Sequence, residues 1–232
     1  MEIIAEIGQN HNGDINYVQE LIHAAKENGA DSVKFQLYDA KKLFPKEGNE
    51  WYDYNCKTEI SRDWLYLLSE ECKKVKIELM ASVFDIDRIS WLEEVKVRRY
   101  KIASRSIYDT RLIQALANTG KPIIASLGMW KEHEFPKIET SASVLYLYCV
   151  SKYPVPLTDL NLSQVDFTKY AGFSDHTVGI AASIAAYSLG ARIIEKHFTL
   201  DKSMYGPDHA CSMTPDELKQ LHDYCLEIKQ SL

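Results

Sequence analysis

The sequence predicts an α/β fold, a single (β/α)8 barrel of the TIM type that occupies residues 1–232. Eight short apolar segments that read as β-strands alternate with stretches that read as helices, which is the pattern of a parallel sheet. The length of 232 residues suits one compact barrel, and no linker or internal repeat marks a domain boundary. No glycine-rich nucleotide-binding loop follows the first strand, which disfavours the main alternative, a doubly wound open sheet.

The strands are predicted from apolar runs that turn and loop residues separate. They cover residues 3–7, 32–37, 77–83, 99–103, 122–126, 144–150, 171–174 and 192–197. The helix after the first strand ends at Asn28-Gly29, and its apolar face is formed by Val18, Leu21, Ile22 and Ala25.

The remaining helices are predicted from their starts and their composition. A polar loop at 38–60 precedes a helix that begins near Ser61, and a helix rich in alanine and isoleucine covers 178–189. The last helix opens with Thr214-Pro215-Asp216-Glu217, which supplies an N-cap threonine, a proline at the first helical position and a capping-box glutamate. Its predicted buried stripe consists of Leu218, Leu221, Cys225 and Ile228.

Composition and charge exclude several classes of protein. The formal net charge is -6, and no basic stripe of the kind that binds nucleic acid is present. No apolar run approaches the length that spans a membrane, and the first strand begins too early to leave room for a signal peptide. The five cysteines lack CxxC spacing, so we expect a cytoplasmic protein with neither disulfides nor a zinc knuckle. Cys149, in an apolar strand, is predicted to be a small core residue.

Charged side chains are predicted inside the barrel. Because successive strand residues point to opposite faces, the face opposite the apolar one carries Glu6, Lys34, Gln36, Glu195 and His197. Lys101 can join them from the fourth strand. Buried charges are costly unless they are paired or functional, and these lie late in their strands, at the end where barrel enzymes work. A structural ion-pair network is the alternative, but the set contains metal ligands and anion partners together, which favours function.

Two histidines end neighbouring strands. His176 follows Asp175 after the seventh strand, and His197 ends the eighth, two residues after Glu195. Two imidazoles from adjacent strands could hold one divalent metal ion.

Other polar and aromatic residues have two interpretations each. Ser126 and Ser174 either cap the helices that follow them or contribute to an anion site. His11, in an Asn- and Gly-rich loop, is left without a role beyond shaping a turn. Trp51 and Tyr54 in the long loop form either a lid or an interface patch.

Across almost its whole length the sequence resembles the sialic acid synthase (N-acetylneuraminate synthase) family of phosphoenolpyruvate-dependent synthases. No single block is decisive, but their order and density are specific. The blocks are Ile3-Ile4-Ala5-Glu6-Ile7-Gly8, Asn10-His11-Asn12-Gly13-Asp14, Gly29-Ala30-Asp31-Ser32-Val33-Lys34-Phe35-Gln36, Lys101-Ile102-Ala103-Ser104, Gly120-Lys121-Pro122, Tyr153-Pro154, Phe173-Ser174-Asp175-His176-Thr177, Glu195-Lys196-His197-Phe198-Thr199 and Gly206-Pro207-Asp208-His209.

The resemblance implies a TIM-barrel transferase that condenses phosphoenolpyruvate with an open-chain sugar aldehyde, similar to an N-acetylhexosamine, and yields a sialic-acid-like 3-deoxy-ulosonic acid plus phosphate. It implies metal ligation by His176 and His197, with Mn²⁺ expected first and Mg²⁺ or Co²⁺ as alternatives. The implied phosphoenolpyruvate cradle is Lys34, Lys101, Ser104, Ser126, Ser151 and Ser174. The implied sugar contacts are Gln36, Tyr153 and Asp208. The candidate catalytic carboxylates are Glu6, Glu195 and Asp175.

The sequence departs from the family pattern mainly at the sugar positions. After Ser104 the family commonly has glycine and an acidic sugar-binding residue, and this chain has Arg105 and Ser106. Leu127 and Tyr148 also replace usual family residues. We therefore expect retained condensation chemistry with an altered acceptor, to which Arg105 offers a contact for a phosphate or carboxylate; a surface ion pair is the alternative.

The resemblance covers the barrel only, whereas family members usually carry a C-terminal antifreeze-like domain. In the family, that domain of one subunit supplies an arginine to the sugar that its partner subunit binds. A homodimer or a separate polypeptide is therefore the expected source of any replacement contact. A non-catalytic barrel that binds a sugar or anion, and acts as a partner or regulatory subunit, remains the alternative function. A metal-dependent sugar aldolase or isomerase is a third and weaker hypothesis.

Overall fold

Eight parallel strands close into a barrel in the order of the sequence, with β8 hydrogen-bonded to β1. The computed structural model describes residues 1–231. The strands are β1 Glu2–Gly8, β2 Ser32–Leu37, β3 Glu78–Val83, β4 Tyr100–Ile102, β5 Ile123–Ser126, β6 Val144–Cys149, β7 Gly172–Asp175 and β8 Ile193–His197. The predicted fold class is confirmed. Each predicted strand begins and ends within two residues of the corresponding observed strand.

Helices surround the barrel on most sides. They are α1 Ile15–Glu27, α2 Ala40–Leu43, α3 Tyr52–Lys57, α4 Arg62–Val75, α5 Ile89–Glu94, α6 Thr110–Ala117, α7 Ala181–Ser188 and α8 Pro215–Ser231. The predicted apolar face of α1 is buried, and Asp14 caps its first turn by accepting the backbone N–H groups of Asn16 and Tyr17. Within residues 1–231, no helix combines the length and apolar character needed to cross a membrane.

Two of the expected helical connections are absent. Residues 127–143, between β5 and β6, contain no α-helix, and residues 150–171, between β6 and β7, contain only the 3₁₀ turns Leu157–Asp159 and Leu162–Gln164. The prediction that helices separate all eight strands was therefore wrong at these two places. Aromatic side chains cover β6 instead, since Tyr146 packs on Phe135 and Tyr148 packs on Tyr170.

Smaller differences concern the neighbouring segments. The predicted polar loop at 38–60 contains the short helices α2 and α3, and α7 is shorter than the predicted 178–189. In α8, Leu218, Leu221 and Cys225 are buried as predicted, whereas Ile228 is only half-buried.

The barrel interior is built in two layers. The lower layer is apolar and fully packed, and its members are Ile4, Met80, Ile124, Leu147, Ala171 and Ile193. Two residues further along β1, β3, β5, β6 and β8, on the same face, the upper layer is polar or polarisable. Its members on those strands include Glu6, Ser82, Ser126, Cys149 and Glu195. The apolar floor thus closes the barrel below and leaves a polar cavity at the carboxyl ends of the strands.

Candidate functional site

Two connected cavities open at the carboxyl ends of the strands. The inner one has a volume of about 60 Å³ and the outer one about 580 Å³. The inner lining contains Glu6, Lys34, Gln36, Lys101, Ser104, Ser126, Tyr153, Ser174, His176, Glu195 and His197. The outer lining includes Gln36, Ser104, Arg105, Ser151, Tyr153, His197 and Asp208. The structure therefore brings almost all of the predicted site residues together.

Lys34 lies at the centre of the inner charge cluster. Its Nζ is 2.7 Å from Oε2 of Glu6 and 3.7 Å from Oε2 of Glu195, and it donates to Oγ of Ser82 at 2.9 Å. Burial alone would lower the pKa of Lys34, but Glu195 and Glu6 outweigh that effect and raise it. Lys34 is therefore a firmly charged ammonium group inside the barrel.

Lys101 forms the second cationic position. Its Nζ donates to Oγ of Ser126 at 2.7 Å and lies 3.4 Å from Oε1 of Glu195. Burial lowers the pKa of Lys101, and Glu195 offsets this only in part. The two lysines share Glu195 between them. Neither lysine side chain reaches bulk solvent, so an anion that displaced part of this network would meet two desolvated cations.

Glu195 is the shared carboxylate of the cluster. Ser174 donates to its Oε1 at 2.9 Å. Burial would raise the pKa of Glu195, but Lys101 and Lys34 reverse that effect and lower it below the usual value. On the adjacent strand β1, Oε1 of Glu6 accepts from Nε2 of Gln36 at 2.9 Å. Two carboxylates and two ammonium groups therefore balance one another within one water-poor space.

The serines of the predicted cradle face the cavity and do not cap helices. Ser126 accepts from Lys101 and Ser174 donates to Glu195, so the capping interpretation of both was wrong. Ser104 accepts the backbone N–H of Gly128 at 3.1 Å. A Cβ atom on Gly128 would lie 2.5 Å from Oγ of Ser151, which shows how closely the chain after β5 approaches this wall.

The two histidines lie side by side at the cavity wall. The ring centroids of His176 and His197 are 5.5 Å apart, and the ring of Tyr153 lies 4.3 Å from His176 and 6.0 Å from His197. Burial, and then the proximity of His197, lower the pKa of His176 well below its usual value. A neutral imidazole is the form that binds a metal ion.

The residues present fit a divalent metal ion. Among the described residues, the buried Nδ1 of His197 has no hydrogen-bond partner, and the nearest carboxylate oxygen, Oδ2 of Asp208, is 3.8 Å away. Within the described residues, no group of three or more His, Cys, Asp or Glu side chains is arranged to enclose an ion. A pair of imidazoles leaves the other coordination positions to water or substrate, as open catalytic metal sites require.

Asp175 lies outside the cavity, contrary to its assignment among the catalytic carboxylates. Its Oδ2 is 3.1 Å from Nζ of Lys196 and accepts from Oγ of Ser183 at 2.5 Å, and its Oδ1 accepts the N–H of Thr177 at 2.8 Å. The side chains of Asp175 and Lys196 are fully buried between the strands and α7. The reason is strand alternation: because Ser174 points inward, Asp175 points outward. We therefore treat Asp175 as a structural group.

Two residues of the site were not among the predicted ones. Ser82 supports Lys34, and its inward position was readable from the alternation of Met80 and Ser82 with their apolar neighbours. Cys149 was predicted to be a core residue, but its Sγ faces the inner cavity, 3.5 Å from Oγ of Ser104 and 3.8 Å from Nδ1 of His176. Burial raises the pKa of the Cys149 thiol, so it remains protonated.

The residues left with open interpretations take structural positions near the site. His11 is fully buried, accepts the N–H of Gly13 at Nδ1 and packs edge-on against Trp64. Tyr54 donates to the carbonyl of Gln9 at 2.9 Å and packs on Trp51. Tyr54 and, through it, Trp51 thus pack against the loop that follows β1.

Comparison with known proteins identifies the family. The model of the NeuB family matches residues 21–232. The N,N'-diacetyllegionaminic acid synthase of Legionella pneumophila is 39% identical over 94% of this chain and 69% of its own length, and the pseudaminic acid synthase of Helicobacter pylori is 35% identical over 100% and 74%.

A solved structure agrees with these sequence relatives. The N-acetylneuraminic acid synthetase of Leptospira borgpetersenii, crystallised with citrate, superimposes with a TM-score of 0.91 at 34% identity, over 99% of this chain and 84% of that one. A truncated 3-deoxy-D-arabino-heptulosonate 7-phosphate synthase of Thermotoga maritima shares the fold at 16% identity, with a TM-score of 0.72. The family match, the identities and the shared barrel agree that the chain belongs to the NeuB family.

Proposed function

We propose that this barrel condenses phosphoenolpyruvate with an open-chain sugar aldehyde, similar to an N-acetylhexosamine, and forms a sialic-acid-like 3-deoxy-ulosonic acid and inorganic phosphate. The observation that carries the proposal is one cavity in which Lys34 and Lys101, both fully buried, lie beside the paired imidazoles of His176 and His197. The names of the relatives, which are synthases of nonulosonic acids, support the same class. On this proposal the protein is a cytoplasmic transferase.

The inner cavity suits phosphoenolpyruvate because that molecule is compact and carries two anionic groups. Lys34 and Lys101 can each donate charge-assisted hydrogen bonds to a phosphate or carboxylate oxygen. The hydroxyls of Ser104, Ser126 and Ser174 lie around them. The roomier outer cavity, with Gln36, Tyr153 and Asp208 in its wall, is then the place for the sugar.

Charge balance supports a metal ion at the histidine pair. Glu6 and Glu195 already offset the two lysines, so the resting cluster has little spare positive charge for a substrate with about three negative charges. His176 and His197 would hold the ion, with Mn²⁺ as our first candidate. When bound, a divalent ion supplies Lewis-acid polarisation of the aldehyde oxygen and extra positive charge beside the anion.

The chain's own residues hold the reactants and manage protons. In the proposed reaction the methylene carbon of phosphoenolpyruvate forms a bond to the aldehyde carbon, and water adds to the neighbouring carbon. The C–O bond to phosphate then breaks, so one aldehyde, one phosphoenolpyruvate and one water give one ulosonic acid and one phosphate. Glu195 and Glu6 line the inner cavity beside the two lysines. In this proposal they accept a proton from the water and stabilise the developing positive charge.

Acceptor-dependent phosphate release tests this function. The wild-type chain, Mn²⁺ and phosphoenolpyruvate are combined with a panel of N-acetylated hexosamines and their phosphates, and phosphate is measured over time. We expect release only when a suitable acceptor is present, and at least a ~100-fold loss in Lys101→Met. Lys131→Met, which changes an exposed lysine, is the matched control and keeps full activity.

Absence of turnover with every acceptor, while phosphoenolpyruvate still binds, would contradict the proposal. That result would favour the non-catalytic barrel that binds a sugar or anion as a partner or regulatory subunit.

A further inference from the structure

Arg105 is an exposed cation at the cavity mouth and has no anionic partner within the part of the chain that the structure describes. It lies in the 3₁₀ turn Ser104–Ser106, directly after β4. The ion pairs among residues 1–231 do not include it, and no carboxylate contributes to its pKa, which partial desolvation lowers. Arg88, by contrast, pairs with Glu59. The guanidinium of Arg105 remains available to a ligand.

Aromatic rings hold the Arg105 guanidinium at the outer cavity. Its Cζ lies 5.4 Å from the ring centroid of Phe44 and 5.9 Å from that of Phe84. Such contacts restrict a long side chain and leave the edge of the guanidinium free to donate. Phe44, Phe84 and Arg105 all line the outer cavity. The position of the charge is therefore defined before any ligand arrives.

The strand order places Arg105 across the mouth from the reacting end. Strands β4 and β8 are four apart in a closed ring of eight, so they lie on opposite sides of the barrel. His197 ends β8, and Asp208 follows it in the connection to α8. The outer cavity thus has imidazole and carboxylate groups on one side and an arginine on the other.

We infer that the acceptor of this synthase carries an anionic group, a phosphate or a carboxylate, at the end remote from its aldehyde, and that Arg105 selects it. This inference rests on the proposed function and adds the chemical class of the second substrate. With its aldehyde near the histidine pair, an open-chain acceptor that crosses the outer cavity places its other end beside Arg105. A guanidinium binds phosphate and carboxylate in the same two-pronged manner. Arg105 is a specificity-determining residue in this account.

Equilibrium binding of matched acceptors tests the inference without requiring turnover. Calorimetry with Mn²⁺ present and phosphoenolpyruvate absent measures dissociation constants for N-acetylmannosamine, N-acetylglucosamine, their 6-phosphates and N-acetylglucosaminuronic acid. For wild type we expect at least one anionic sugar to bind about tenfold more tightly than its neutral counterpart. The 6-phosphate and uronate arms distinguish a phosphate from a carboxylate. In Arg105→Gln the neutral and anionic sugars should have about equal dissociation constants. Arg105→Lys should recover part of the preference for the anionic sugar.

Arg111→Gln is the control for a general change of charge. Arg111 is exposed at the start of α6, near the same mouth, but it does not line the outer cavity. It should keep the wild-type preference. Equal binding of neutral and anionic sugars by wild type, or an anionic preference that survives in Arg105→Gln, would overturn the inference. If neutral sugars turn over and Arg105→Gln has no effect, the proposed function stands and the inference fails. If the anionic preference depends on Arg105 but phosphate is never released, Arg105 selects the ligand as inferred and the proposed function fails.

Discussion

Nζ of Lys196 and Oδ2 of Asp175 lie 3.1 Å apart, and neither side chain is exposed to solvent. The pair joins β7 to β8 on the side that faces α7. Lys196 also donates to the carbonyl of Thr177 at 2.7 Å. Each residue immediately precedes a histidine of the candidate site, so the pair fixes the ends of both strands from outside the cavity.

Removing both members of this buried pair should cost less stability than the two single removals added together. We expect Asp175→Ala to lower the free energy of unfolding by about 3–5 kcal/mol because it leaves the Lys196 ammonium buried and unpaired. The double variant Asp175→Ala/Lys196→Met should lose less than the sum of the single variants. Urea unfolding of the single and double variants measures this, with Lys219→Met at the exposed Lys219–Asp223 pair as a control without a resolvable loss. Strictly additive losses would contradict the assignment.

Neutralising Glu195 should separate binding of phosphoenolpyruvate from turnover. In Glu195→Gln, Lys34 and Lys101 lose the carboxylate that lies 3.7 Å and 3.4 Å from their Nζ atoms. The freed positive charge should keep the affinity for phosphoenolpyruvate or increase it, whereas kcat should fall at least ~100-fold because a proton acceptor is lost. Steady-state kinetics and a direct binding titration give the two quantities. Glu227→Gln, at an exposed position of α8, is the control, and a raised KM with unchanged kcat would argue against this role.

A methyl group on Gly128 should displace side chains at the edge of the proposed phosphoenolpyruvate site. The added Cβ would lie 2.5 Å from Oγ of Ser151 and 2.8 Å from Sγ of Cys149, so both side chains must move within the cavity wall. Displacements of this kind cost up to ~100-fold in rate, and we expect at least a ~10-fold loss of kcat/KM for phosphoenolpyruvate in Gly128→Ala. Gly48→Ala is the control: the φ of Gly48 is +70°, and no atom of residues 1–231 outside the neighbouring backbone lies within 4 Å of the added Cβ. It should lose some stability and no activity, and equal activities in the two variants would refute the expected effect.

Stability should depend on pH through His11. Burial lowers the pKa of His11 to about 4 from 6.5, so between these values the unfolded chain binds more protons than the folded chain. Stability therefore falls as the pH falls through 6.5, and the loss levels off below about pH 4. Between pH 7.5 and pH 5 this one group should account for about 2 kcal/mol.

Urea unfolding at the two pH values measures this contribution. His11→Asn keeps an acceptor near the N–H of Gly13 and should have a smaller difference in stability between pH 7.5 and pH 5 than wild type. His133→Asn, which changes an exposed histidine, should behave as wild type does. An unchanged pH dependence in His11→Asn would show that His11 is not the group responsible.

Strand alternation explains most of what could be predicted from the sequence. It placed Glu6, Lys34, Lys101 and Glu195 inside the barrel correctly, because each lies on the strand face opposite apolar residues that pack under the helices. The same rule turns Asp175 outward, contrary to its assignment among the catalytic carboxylates. Cys149 was assigned to the core by residue type, although its register with inward Leu147 directs it to the cavity.

The connections around β6 and the Arg105 contacts could not be predicted from local patterns. Residues 127–143 form no α-helix, and β6 is instead covered by aromatic side chains such as Phe135 and Tyr170, from segments on either side of it. Likewise, Phe44 and Phe84 meet Arg105 only because the loops after β2, β3 and β4 converge at the barrel mouth. Such contacts between distant segments leave no periodic signal in the sequence.

The fate of the bridging oxygen of phosphoenolpyruvate is the most direct test of the proposed condensation. Phosphoenolpyruvate carrying ¹⁸O in the C–O–P bridge is reacted with an acceptor and Mn²⁺, and phosphate and product are analysed by mass spectrometry. Our account predicts that the label leaves with phosphate and that the product contains the acceptor's carbons plus three more. Unlabelled phosphate together with pyruvate would mean cleavage of the P–O bond without condensation, and it would contradict the account.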